Sequence, residues 1–178
     1  MIFIIVLLLA LALSLGYHRY MGVRAMKAEY IEVSGVTIEQ IIEIGTKAST
    51  SVVKRMLGRP QASRTPEGDI QWGVQSKGGL MIFRVRALPD DRGFRVDGWA
   101  EEIRAARVWG QMNPHTVDGR ARILTNWMCR ALGIPQNARQ LLRRRRRTLN
   151  AIARAGQVIT PITREGSEQM AGASDART

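Results

Sequence analysis

Five successive arginines, Arg143–Arg147, are the residues of this chain whose type and spacing point most clearly to chemistry. Guanidinium groups bind phosphates and carboxylates through paired hydrogen bonds. The run therefore predicts contact with anionic lipid headgroups or with the phosphates of a nucleic acid, and the third alternative is a helix that only carries solvated charge. We include Arg139 and Arg154 in the same predicted contact surface.

The basic residues are concentrated in one block of the sequence. Of the formal net charge of +12, +11 lies between Arg104 and Arg154, where twelve arginines accompany a single acid, Asp118. Codon usage in a GC-rich genome can account for many arginines, but it does not account for the loss of acids from the same block. The charge distribution therefore favours an anionic partner.

The arginine run is expected to be helical, and this limits how many of its members can face solvent. Successive residues of a helix are rotated by about 100°, so five of them surround the axis. At least one, most plainly Arg145 between Leu142 and Leu149, must lie over apolar surface or pair with an acid.

Catalytic residues are not apparent in the sequence. The two histidines, His18 and His115, have no acid or nucleophile at a recognisable spacing. Asp90–Asp91 is typical of a turn, the neighbours Glu101–Glu102 would point to opposite sides of a strand, and Cys129 is expected to be a buried thiol. The sequence indicates binding rather than catalysis, with no cofactor and no metal site.

An apolar run at Met1–Gly16 precedes the polar part of the chain and has no charged residue. As a helix it would be about 24 Å long, and Tyr17, Arg19 and Tyr20 are predicted to complete the span as interfacial anchors. We predict a single-pass transmembrane anchor at 1–17. A cleaved secretory signal and a buried core helix are the alternatives.

The charges beside the anchor predict its orientation. Arg19, Arg24 and Lys27 follow the apolar run, and no lysine or arginine precedes it. The positive-inside rule then places the N-terminus outside and the following domain in the cytoplasm, at the plasma membrane. A lone cysteine agrees with that compartment.

The region after the anchor is predicted to begin with a juxtamembrane connector, 18–34, that contains a short strand at Tyr30–Val33. A helix over Ile38–Leu57 follows, because Thr37 and Gln40 form a capping box before a helical apolar pattern.

Alternating apolar residues then predict an antiparallel meander. Its three strands are Ile70–Gln75, Leu80–Leu88 and Phe94–Ala100, after a polar loop at Gln61–Asp69. The segment Glu101–Trp109 could extend the third strand, form a fourth or be helical, and we favour strand.

Two C-terminal helices, Asp118–Leu132 and Pro135–Ala155, complete the expected domain, 35–156. The first has a continuous apolar face that includes Leu124 and Trp127, and the tryptophans are expected to lie mostly in the core. The fold class is therefore α+β: a helix packed on a three- to four-stranded antiparallel sheet, followed by two helices. The tail, 157–178, is rich in small polar residues and is predicted to be disordered.

The segment CRALGIPQNARQLL, Cys129–Leu142, resembles the turn of helix-turn-helix proteins. The resemblance places Gly133 in the turn and Leu142 on the second helix, facing the first, and implies DNA binding. Arg139 stands where such motifs keep an apolar residue, and Cys129 stands where a small alanine is usual.

The order of elements, a short strand, a helix, a meander and a long C-terminal helix, is similar to that of START-type (SRPBCC) helix-grip domains. That resemblance implies a curved sheet around the last helix, with an apolar ligand between them.

The sequence thus predicts a membrane-anchored protein with a basic cytoplasmic domain that binds or scaffolds at the anionic inner leaflet. The alternatives are a nucleic-acid-binding protein tethered to the membrane and a START-like domain that binds an apolar ligand.

Overall fold

The computed structural model of the chain describes residues 2–50, 62–76, 78–104 and 117–164. These ranges contain four α-helices and one antiparallel sheet, so the α+β class is confirmed. The helices are α1 (Ile2–Met26), α2 (Ile38–Ser49), α3 (Val117–Ala131) and α4 (Ala138–Ala153).

The sheet has six strands, more than the three or four predicted. They are β1 (Glu29–Ser34), β2 (Ala62–Arg64), β3 (Ile70–Ser76), β4 (Gly79–Ala87), β5 (Phe94–Ile103) and β6 (Gln157–Arg164). Their order across the sheet is β2-β3-β4-β5-β1-β6, and each neighbouring pair is antiparallel.

Helix α1 is long and apolar enough to cross a membrane over Ile4–Met26, and none of its most apolar window is buried. Its large apolar side chains at residues 4–9 and at Leu13 are 51–67% exposed. The helix continues well beyond the predicted anchor at 1–17. Residues 18–26 are its last turns, so the predicted connector at 18–34 does not form a flexible joint.

Strand β1 confirms the predicted strand at Tyr30–Val33, but its place in the fold was not foreseen. It pairs with β5 on one side, with Ile31 opposite Val96, and with β6 on the other. The first strand after α1 is therefore an inner strand of the sheet, and α1 joins it through two residues.

The apolar core lies between one face of the sheet and the helices. Trp72 of β3 stacks on Phe83 of β4 with ring centroids 5.3 Å apart, and Gly45 of α2 lies directly over the Trp72 ring. Helix α4 contributes fully buried aliphatic side chains to this core, Leu141, Leu149 and Ile152.

Polar contacts occupy the opposite face of the sheet. Asp97 of β5 accepts hydrogen bonds from Arg86 at 3.1 Å and from Arg95 at 2.9 Å. Arg95 also lies over the ring of Tyr30, 3.7 Å from its centroid. A buried carboxylate with two guanidinium partners is the arrangement expected where a charged group is removed from water.

Helix α2 begins as predicted and ends early. Thr37 and Gln40 form the capping box, each side chain accepting from the other residue's backbone N–H, at 3.3 and 3.0 Å. Thr50 has extended backbone angles, so the helix stops at Ser49 and not at Leu57. The rest of the predicted helix, 51–57, lies outside the described residues.

The predicted meander is confirmed in β3, β4 and β5. Strand β5 extends to Ile103, which agrees with the favoured extension of the third strand, and residues 105–109 lie outside the described residues. The short strand β2 was missed because it lies in a polar segment with no apolar alternation.

Strand β6 corrects the prediction of a disordered tail from residue 157. Gln157–Arg164 pairs along β1 with two register shifts, and most of its side chains are exposed or half-buried. Its segment does carry a strand signal that was overlooked, because five of its eight residues are β-branched: Val158, Ile159, Thr160, Ile162 and Thr163. The remaining part of the predicted tail, 165–178, lies outside the described residues.

The two C-terminal helices are confirmed, with a Schellman-type end between them. Gly133 has a φ of +64°, and the Ile134 N–H donates to the Cys129 carbonyl at 2.7 Å. The prediction that the apolar face of α3 packs in the core is wrong in part, because Leu124 and Trp127 are exposed.

Candidate membrane-proximal site

The junction between α1 and α4 is built around Arg145. Its side chain is 1% exposed, and its Nη2 and Nε atoms lie 3.0 and 3.1 Å from one carboxylate oxygen of Glu29. Its Nη1 donates to the backbone carbonyls of Ala25 at 3.0 Å and Lys27 at 2.7 Å. The carbonyls at the end of a helix have no partner within the helix, and here the Arg145 guanidinium supplies their hydrogen bonds. Its positive charge also interacts favourably with the negative end of the helix dipole.

The expectation that Arg145 cannot face solvent is thus met, since it pairs with an acid. Its inclusion among the residues that contact an anionic partner is corrected by the same observation. Arg145 is a structural residue that fastens the middle of α4 to the end of α1.

Glu29 is shared by three arginines. Besides Arg145, Arg146 approaches it at 3.8 Å and Arg164 of β6 at 3.4 Å. One buried carboxylate therefore draws together the end of α1, the middle of α4 and the edge of the sheet. Sequence analysis missed Glu29, because its partners lie more than a hundred residues away and leave no local pattern.

Burial and the Glu29 carboxylate shift the pKa of Arg145 in opposite directions. Removal from water lowers its pKa below the usual guanidinium value, and the neighbouring Glu29 partly restores it. Because a guanidinium is not deprotonated in proteins, the side chain stays charged and the pair is ionic.

The remaining arginines of the predicted contact surface form what we call the basic face of α4. It consists of the exposed residues Arg139, Arg143, Arg146, Arg147 and Arg154. Shallow hollows lie between these side chains, and Arg144 lines one of them from a half-buried position. Burial, with some repulsion from Arg147, lowers the pKa of Arg144.

The end of α1 is packed rigidly against the region where α4 begins. Gly22 faces Pro135 so closely that an added Cβ would lie 2.4 Å from the proline ring. Ala25 is fully buried in the core, and Met21 is partly buried and packs against that core. The basic face of α4 is consequently held at a fixed position relative to α1.

The predicted interfacial anchors lie on the last exposed turns of α1 before this junction. Tyr17, Arg19 and Tyr20 are exposed. Gly22 follows Tyr20 by about 3 Å along the helix axis, so the packed junction begins immediately beyond the anchors.

The residues considered for catalysis do not come together in the described part of the chain. Asp90 and Asp91 form an exposed turn with positive φ, and Glu102 is exposed and paired with Arg104. Cys129 is buried, and burial raises the pKa of its thiol. His115 lies outside the described residues. Within the described ranges no group of three or more possible metal ligands occurs.

The structure agrees with the helix-turn-helix resemblance only in the turn between α3 and α4. Gly133 occupies the turn as expected, but Leu142 packs in the core with α2 and the sheet. Helix α4 packs mainly on α1, α2 and the sheet. In a DNA-reading unit the second helix would rest on the first, so this packing does not favour base readout by α4.

Comparison of the chain with protein-family models, curated proteins and solved structures finds no match. The START-type resemblance consequently remains a prediction.

Proposed function

We propose that this protein is a single-pass membrane protein whose domain lies on the anionic inner leaflet, with the basic face of α4 directed to lipid headgroups. Its role would be binding or scaffolding at that surface. The retained α1 is the anchor, and the N-terminus lies outside.

The observation that carries the proposal is the rigid junction between α1 and α4. Arg145 and Glu29 fix α4 to the last turn of α1, and Pro135 packs on Gly22. These contacts hold the first turns of α4 near the depth of the interfacial anchors. Charges that close to an anionic surface lie within the Debye length of about 8 Å and are only partly screened.

The charges beside α1 support the orientation. Arg19, Arg24 and Lys27 all follow the apolar run, on the side of the domain. The last turns of α1 pack against the domain core through Met21 and Ala25, so the part of α1 next to the domain belongs to the folded protein.

The test uses the full chain in bilayers that mix phosphatidylglycerol with phosphatidylcholine. Native mass spectrometry of the extracted protein counts the anionic lipids retained, for the wild type and for Arg143→Gln/Arg147→Gln. Each basic side chain near an anionic surface contributes about 1 kcal/mol, so we expect the double variant to lose roughly 30-fold in preference for the anionic lipid.

The matched control is Arg64→Gln/Arg92→Gln, which removes the same charge from exposed sites on β2 and on the turn before β5. It should retain the wild-type preference. Equal lipid counts for all three proteins would refute the proposal. Salt-dependent retention of duplex DNA without lipid enrichment would support the nucleic-acid alternative instead.

A further inference from the structure

Helix α3 exposes large apolar side chains, which a helix on a water-soluble domain usually turns toward the core. Trp127 is 64% exposed, Leu132 60% and Leu124 46%, whereas Asn126 and Cys129 are buried. Asn126 accepts a hydrogen bond from Gln136 in the turn before α4, so the polar side chain has a partner inside the protein.

The exposed apolar residues of α3 share one face. At 100° per residue, Leu124, Trp127 and Ala131 fall within an arc of about 60°. All three are exposed, Leu132 is exposed just past the end of the helix, and the exposed Arg120 lies in the same arc one turn before Leu124. Arg130 is exposed at the flank of this face, where its long side chain can reach from lipid to water.

The position of α3 indicates what covers this face. Helix α3 contacts α1, and the turn that follows it packs Pro135 on Gly22 of α1. Leu132 is only three residues before Pro135, so the exposed end of α3 lies beside the last turns of α1. The exposed apolar residues at the end of α3 therefore lie near the end of the candidate span.

A tryptophan with flanking leucines and an arginine, next to a membrane span, matches the composition of interfacial helices. We propose that α3 is a second membrane contact, an interfacial helix whose Leu124, Trp127, Ala131 and Leu132 insert between lipids beside α1. This inference rests on the proposed membrane location of α1, but it does not need the basic face of α4. Apolar insertion should occur in a neutral bilayer, where arginine binding to anionic lipid is absent.

The experiment therefore uses the full chain in bilayers of phosphatidylcholine alone. Cys129→Ser removes the single cysteine and keeps a hydrogen-bonding group beside Gln136. Single spin labels are then attached after Leu124→Cys or Trp127→Cys. The lipid reference is Leu13→Cys on the exposed apolar part of α1, and the water reference is Ser63→Cys on exposed β2. Collision rates with oxygen and with a water-soluble nickel chelate are measured at each site.

We expect the labels at 124 and 127 to collide with oxygen more often than with the nickel chelate, by a ratio within about twofold of that at residue 13. Ratios equal to that at residue 63 would show that α3 faces water and would overturn the inference. Low collision rates with both reagents would show that protein covers the face, and would overturn it as well.

The native Trp127 gives an independent measurement without labels. In phosphatidylcholine with brominated acyl chains, the wild type should show a quenched fluorescence component that Trp127→Phe lacks. Equal quenching in the two proteins would overturn the inference. Loss of anionic-lipid preference after Arg143→Gln/Arg147→Gln would be unrelated to either result, so the two proposals can fail separately.

Discussion

Arg145 illustrates how one side chain can connect a long apolar helix to the domain that follows it. It is charged, fully buried, and bonded both to Glu29 and to carbonyls at the end of α1. The desolvation of such a pair is costly, so its presence does not by itself imply high stability. Its contribution is geometric, because only one arrangement of α1, α4 and β1 satisfies all of these groups.

Removing one member of this pair should be strongly destabilising. Glu29→Gln leaves Arg145 buried without a counter-charge and with Arg146 and Arg164 close by, so we expect a loss of about 3–5 kcal/mol in the free energy of unfolding. Denaturant unfolding of the full chain in detergent, followed by tryptophan fluorescence, measures this loss.

The control for that measurement is Arg143→Gln, which removes a charge from the exposed face of the same helix and should change stability by no more than about 0.5 kcal/mol. The double variant Glu29→Gln/Arg145→Leu should recover part of the loss, since the unpaired buried charge is gone. Equal costs for Glu29→Gln and Arg143→Gln would show that the junction is not closed in solution.

At the scale of elements, the parts that the sequence predicted are those governed by local contacts. The Thr37–Gln40 capping box and the Gly133 turn lie within a few residues of their partners, and both formed as expected. The inner position of β1 and the pairing of β6 depend on strands distant in sequence, although the β-branched residues of β6 were themselves a strand signal. Trp127 was assigned to the core because periodicity shows which residues share a face, but not what covers that face.

The packing of α1 on the domain depends on a residue with no side chain. Gly22→Ala would place a Cβ 2.4 Å from the Pro135 ring, so the helix and the turn must separate. We expect a loss of about 1–3 kcal/mol, as for other overpacked contacts, despite the higher helix propensity of alanine. The same denaturant unfolding measures the effect.

Gly16→Ala is the matched control on the same helix, because nothing lies within 4 Å of its added Cβ. It should leave stability unchanged or raise it slightly. If the two variants behaved alike, the close approach of α1 to Pro135 would not exist in the folded protein.

At the scale of the whole molecule, the domain begins within α1, since its core includes Ala25 and contacts from Met21. Truncation should reveal this boundary. A chain that lacks 1–17 keeps the packed turns of α1 and should fold with nearly the stability of the full-length domain. A chain that lacks 1–27 loses Ala25 and the two carbonyls that bind Arg145.

We expect the shorter of these two chains to be less stable by several kcal/mol, because each hydrogen bond removed from a buried charged group costs about 1–3 kcal/mol. Urea unfolding of both proteins in the same buffer measures the difference. Equal midpoints would mean that residues 18–27 contribute nothing to the fold and act as a connector, as the sequence predicts. Unequal midpoints would mean that the last turns of α1 belong to the folded domain, so that α1, the basic face of α4 and the apolar face of α3 form one folded unit.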